Sequence, residues 1–136
     1  MHSVLKSPGY WLAAVMAASQ FVNALRAFVD PIGFATYMGL PLVAQQDIGF
    51  VQVYGLRALF IALLVGVFLY LRNMQALQWT AIAALVMPLG DVLLTINADA
   101  TTATITRHLL ILSVVAATAW LIYRWRARQA PDAQDP

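Results

Sequence analysis

Asp91, His108, Arg26 and Arg57 lie in stretches that are otherwise apolar, and few side chains of a small protein offer so much chemistry in such surroundings. An aspartate and a histidine held together can act as general acid and base. A nearby arginine, with the amide of Asn23 or the phenol of Tyr54, can hold an anionic ligand or stabilise a developing oxyanion. Thr95 follows Asp91 by four residues and shares its side of a helix. The catalytic candidates are therefore Asp91 and His108, and the ligand-contact candidates are Asn23, Arg26, Tyr54, Arg57 and Thr95. The same residues have a plainer use, in which Asp91 pairs with an arginine, His108 is capped at an interface, and the polar groups lock helices together. Arg107 stands nearest the edge of its apolar stretch and is expected to snorkel to the surface.

Other chemistries are set aside. The chain has no cysteine, which excludes disulfides, thiol catalysis and thiolate metal sites. Its two histidines, His2 and His108, are far apart, so no metal site is expected. No Walker loop or dinucleotide-binding glycine pattern is present, and no cofactor is expected. Ser113 lies five residues from His108 and about a turn deeper, which does not suit a serine triad. The formal charge of +2 is too weak and too scattered for a nucleic-acid partner.

The elements that position these residues follow from composition. Of 136 residues, 62% are hydrophobic and 10% charged, against about 25% charged in soluble domains. Much of the surface must therefore face lipid. A helix needs about 20 apolar residues to cross about 30 Å of hydrocarbon. Four stretches qualify, near residues 10–29, 50–71, 76–96 and 105–123, and each must be helical because unpaired backbone groups are too costly in lipid. The expected fold is an all-α, four-helix transmembrane bundle over residues 1–128, followed by a disordered polar tail at 129–136. Lys6, Arg72, Arg124, Arg126 and Arg128 fall on one side of such a bundle, and Asp30, Asp47 and Asp99 on the other. Both termini are then cytoplasmic, in a multi-pass protein of the cell (inner or plasma) membrane. Trp11, Trp79, Trp120 and Trp125 all map to the cytoplasmic ends, where indoles anchor among headgroups. The connection at residues 30–49 is too apolar for a free loop and too rich in proline and glycine for a fifth span. It suits a short interfacial or re-entrant segment lying over the bundle as a lid.

This topology places the polar residues at one depth. Asn23 and Arg26, Gln52, Tyr54 and Arg57, Asp91 and Thr95, and Arg107 and His108 all fall in the outer halves of their spans, whereas the inner halves hold only Thr80, Ser113 and Thr118. Gln20, Asn23 and Arg26 at i, i+3, i+6, and Tyr54 and Arg57 at i, i+3, are expected to form stripes facing the interior. A charge in mid-helix costs about 2.5–3.5 kcal/mol on insertion scales. Arg57 should therefore find an acceptor, and Asp91 is the one acidic residue within a span at its depth. A buried Arg57–Asp91 pair is expected. Pro88 frees the carbonyl of Ala84 and bends the third span, and Gly90 leaves room for a neighbour beside Asp91. The spacings Ala58-Ala62-Gly66 and Ala14-Ala18 allow close helix approach, within the bundle or in a homodimer.

Five stretches carry a family likeness: Ser7-Pro8-Gly9-Tyr10-Trp11-Leu12, Arg26-Ala27-Phe28-Val29-Asp30-Pro31, Gly39-Leu40-Pro41, Tyr54-Gly55-Leu56-Arg57 and Pro88-Leu89-Gly90-Asp91. In them the chain resembles the small four-helix membrane proteins of domain of unknown function 4267, from about Ser7 to about Tyr123, and more distantly the DoxX-like proteins. The resemblance implies the four-helix fold and points to Arg26, Arg57 and Asp91, but it implies no reaction. Two functions follow from the residues. One is a membrane enzyme performing acid–base chemistry (isomerisation, cyclisation or hydration) on an apolar or anionic small molecule drawn from the lipid bilayer. The other is a non-catalytic membrane component that binds a small molecule or partner, with a purely structural polar layer.

Overall fold

The structure is a computed structural model that describes residues 4–129; most of the polar tail expected to be disordered, from Ala130 on, lies outside the described residues. It is all-helical, with no strand among the described residues. The helices are α1 (Pro8–Val29), α2 (Pro31–Met38), α3 (Ile48–Tyr70), α4 (Met74–Ala84), α5 (Val86–Asn97) and α6 (Thr102–Gln129). Helices α1, α3 and α6, together with α4 and α5 taken as one span (Met74–Asn97), are four helices long and apolar enough to cross a membrane.

Local sequence explains where each helix stops. Pro31 cannot donate to the helix before it and disfavours helical backbone at the preceding residue, so α1 ends at Asp30, with φ −141°. The Asp30 carboxylate then caps α2 by accepting from the Gly33 amide at 2.9 Å, with Pro31 in the first turn. Gly39, at φ 83°, closes α2 in the left-handed conformation. A Cβ there would sit 2.5 Å from the Thr104 methyl, so glycine also lets the end of α2 rest on α6. Arg72 turns the chain between α3 and α4 at φ 53°, and Asn73 Oδ1 caps α4 through the Ala76 amide at 3.0 Å. The third span breaks at Leu85, three residues before Pro88, as a proline that withholds an amide requires.

Small residues pack the interior and large ones face outward. Ala13, Ala17, Ala24 and Ala27 of α1 are buried, as are Gly55, Ala58 and Ala62 of α3. A Cβ on Gly55 would lie 2.8 Å from the Ala27 Cβ, so these two backbones meet closely. The expected spacings are corrected in two places. On α1 the packed alanines are Ala13 and Ala17, one residue round from Ala14 and Ala18; Ala18 is exposed. Gly66 and Gly90 have no neighbour near a built Cβ, so neither marks a close approach. Leu56, Phe60, Leu63, Leu93, Leu94 and Leu110 are exposed, the arrangement expected where the solvent is lipid tails.

At the end that carries the termini, Ala13, Met74, Leu77 and Ile122 form a buried apolar cluster. The Tyr10 hydroxyl donates to the Leu69 carbonyl at 3.1 Å, and the Arg126 guanidinium donates to Gln78 Oε1. Helix α3 packs along α1 and meets α4 beside their shared turn, whereas α3 and α5 barely touch. A space therefore remains between α1, α3, the α4–α5 span and α6.

Candidate functional site

That space is a cavity of about 390 Å³ running between the helices. Ala13, Leu77 and Val65 line its termini end, Met16, Ala84, Met87 and Val114 line its middle, and Gln20, Asn23, Tyr54, Asp91, Arg107 and His108 line the end under α2. Tyr37 and Met38 of α2 contribute to its wall. Phe34 of α2 is buried, with its ring 5.6 Å from that of Tyr54.

His108 is the most deeply placed ionisable group, at 1% exposure. Its Nε2 lies 3.2 Å from the Met38 carbonyl. A carbonyl can only accept, so Nε2 carries a hydrogen, which leaves Nδ1 as the ring nitrogen able to gain or give up a proton. Nδ1 faces Asp91 Oδ2 at 3.9 Å, which is beyond hydrogen-bond range. Nδ1 has no other partner. Asp91 is placed by the helix that Pro88 bends, and its side chain keeps 28% exposure, on the cavity side.

The expected Arg57–Asp91 pair is not formed; the partner of Asp91 is His108, the one salt-bridge contact among the described residues. The reason is angular. Three residues along a helix turn about 300°, so Arg57 points about 60° away from Tyr54, on the side opposite the α1 contact. Tyr54 lines the cavity, whereas Arg57 is exposed among Val53, Leu56 and Phe60 on the outer face of α3. The stripe on α1 drifts in the same way. Gln20 and Asn23 line the cavity, but Arg26, at i+6, leaves it and lays its guanidinium 4.4 Å from the centre of the Tyr37 ring. Thr95 is buried at 1% exposure, but its hydroxyl donates within its own helix, to the carbonyls of Asp91 (2.8 Å) and Val92 (3.0 Å), and it does not line the cavity.

Arg107, expected at the surface, is instead a wall of the cavity. Its guanidinium lies 3.8 Å from the Tyr37 ring centre and donates to the Tyr37 carbonyl, and its Nε is buried without a partner. Gln20 Oε1 is likewise buried and unpartnered. The signal for Tyr37 and Met38 was present in the sequence: Asp30-Pro31 opens a helix and Gly39 closes it, which folds the connection back over the bundle.

Arg57→Leu is expected to leave thermal stability in detergent unchanged or to raise it, since it removes a lipid-facing charge worth about 2.5–3.5 kcal/mol at a helix centre. A lowered unfolding midpoint would assign Arg57 an internal partner.

The profile of the family described as domain of unknown function (DUF4267) matches residues 17–122, most of the chain. The chain belongs to the DUF4267 family. The matched region of this DUF4267 protein holds every cavity residue named above except Ala13 and Met16, and holds both members of the Asp91–His108 pair. No curated protein and no solved structure matches the chain.

Proposed function

We propose that the cavity binds an apolar small molecule taken from the bilayer and that Asp91 and His108 perform acid–base chemistry on it. The observation that carries this is a buried histidine whose Nδ1, without a hydrogen-bond partner among the described residues, faces the Asp91 carboxyl inside a largely apolar cavity. Buried ionisable groups within a membrane are costly and are retained for function or pairing. Because 3.9 Å is too far for direct transfer, a substrate atom completes the path: one member of the pair takes a proton and the other returns one. That is the requirement for shifting a double bond, closing a ring or adding water, and Asn23 and Tyr54 are placed to orient a substrate oxygen.

The scarce contact between α3 and α5 supports lateral entry from lipid, with α2 as the lid over the polar end. The basic residues Lys6, Arg72, Arg124, Arg126 and Arg128 support cytoplasmic termini in the cell membrane, which puts the polar end of the cavity on the outer side.

The test is mass spectrometry of small molecules that co-purify with the detergent-extracted protein, wild type beside Asp91→Asn. A species held by the wild type and lost from a folded mutant is the expected result. Nothing retained by either protein, with a mutant that unfolds, would make the pair purely structural.

A further inference from the structure

We propose that the outer mouth of the cavity is an anion site, so that the ligand is a single-chain amphiphile with an anionic headgroup, held by Arg26 and Arg107, both of which rest on the Tyr37 ring. This rests on the cavity being a binding site, as argued above, and adds the identity of the ligand's head. The guanidinium of Arg26 lies 4.4 Å and that of Arg107 3.8 Å from the centre of the one Tyr37 ring. Two like charges gathered at one ring repel, a cost that the cation–π attraction of each to the ring opposes. No carboxylate forms a salt bridge with either of them among the described residues; Asp91 faces His108, and Asp30 accepts from the Gly33 amide. Arg107 Nε is in addition a buried donor with no acceptor among the described residues, and leaving such a group unsatisfied is destabilising. A carboxylate or phosphate monoester within reach of both guanidiniums would screen the repulsion and supply the missing acceptor, a group arginine binds well.

The rest of the cavity fixes the other end of the ligand. From Arg107 to Thr118 along α6, a rise of 1.5 Å per residue gives about 16 Å of wall, with Met16, Met87 and Val114 among the side chains facing it. An alkyl chain of medium length fits that run. Its headgroup would rest beneath α2 and its first carbons beside Asp91 and His108.

The experiment measures equilibrium binding of tritiated dodecanoate to the purified full-length protein in nanodiscs of phosphatidylcholine, with dodecyl phosphate and dodecanol as competitors. The three share one chain and differ only in the head. The anionic compounds are expected to bind at least about tenfold more tightly than dodecanol, a step worth about 1.4 kcal/mol. Arg107→Gln and Arg26→Gln should each lower anion affinity about tenfold while leaving dodecanol competition unchanged, and Arg107→Lys should recover part of the loss. The Arg26 side chain makes no hydrogen bond among the described residues and is exposed, so its variant keeps the test valid if Arg107→Gln misfolds. Preference for the carboxylate would name a free fatty acid as the source of the headgroup; preference for the phosphate would name a phosphorylated lipid. Equal binding of dodecanol, or anion affinity indifferent to both arginines, overturns the anion site. If dodecanol nonetheless binds and Asp91→Asn weakens it, the cavity stands as a binding site without a charged head. If no dodecyl compound binds, both ideas fall.

Discussion

His108→Leu should release α2 from the bundle, whereas His108→Gln should keep it in place. The leucine change removes the donor that satisfies the Met38 carbonyl and leaves Asp91 facing an apolar side chain. A buried acceptor left unsatisfied costs about 1–3 kcal/mol, and the loss falls on the one short helix that crosses the end of the cavity. Glutamine can still donate from its amide to the same carbonyl, but it cannot cycle a proton at physiological pH. Hydrogen exchange in detergent should therefore show faster exchange across Pro31–Met38 in the leucine variant and near wild-type exchange in the glutamine variant. Both variants should fail to retain or turn over a ligand if the pair does proton chemistry. Unchanged exchange at α2 in His108→Leu would mean that the packing of Phe34 and Tyr37 holds this helix without the histidine.

Gly9→Leu should be the most damaging single change at the termini end. A Cβ at position 9 would stand 2.7 Å from Ile122 Cγ1, 2.9 Å from the Ile122 amide nitrogen and 3.3 Å from the Leu121 carbonyl carbon. Two of these are backbone atoms of α6 and cannot swing aside, so α1 and α6 would have to part. Overpacking of this kind costs about 1–3 kcal/mol and occasionally more. The separation would also disturb the nearby Tyr10 hydroxyl contact with Leu69. A strongly lowered unfolding midpoint in detergent is expected, with Gly9→Ala intermediate. Wild-type stability in Gly9→Leu would show that the α1–α6 contact is looser than this geometry requires. The constraint also gives a physical reason for Ser7-Pro8-Gly9-Tyr10, which precedes the matched residues 17–122: proline starts the helix, glycine admits α6 and tyrosine ties α1 to α3.

The spans, their order and the common depth of the polar groups were legible because lipid imposes length and hydropathy on each helix. Depth along the membrane follows directly from counting residues at 1.5 Å each. Rotation about the helix axis does not. Tyr54 and Arg57 share a depth but differ by about 60° in direction, enough to put one in the cavity and the other in the lipid. The partner of Asp91 was misjudged for the same reason: arginine looked the better counter-charge by type, and histidine was the one in reach. Arg107 was misjudged in the other direction. Its place near the end of a span suggested escape to water, but α2 folds over that end and supplies Tyr37 as a resting surface for its guanidinium. None of this is visible until the connection at residues 30–49 is known to hold a helix, Pro31–Met38, with its own cap and stop.

The turn at Arg72 and Asn73 divides the chain into two consecutive helical hairpins of nearly equal length, one carrying Gln20, Asn23, Tyr37 and Tyr54, the other Asp91, Arg107 and His108. The groups that would orient a ligand and the groups that would move its protons are thus encoded in different halves. The first hairpin, with its alanine seam, precedes α6 in the chain and is therefore synthesised first. Asp91 and His108 come together only once the last helix packs against α5. A chain that stops short of α6 lacks His108 and Arg107 and cannot assemble the proposed site.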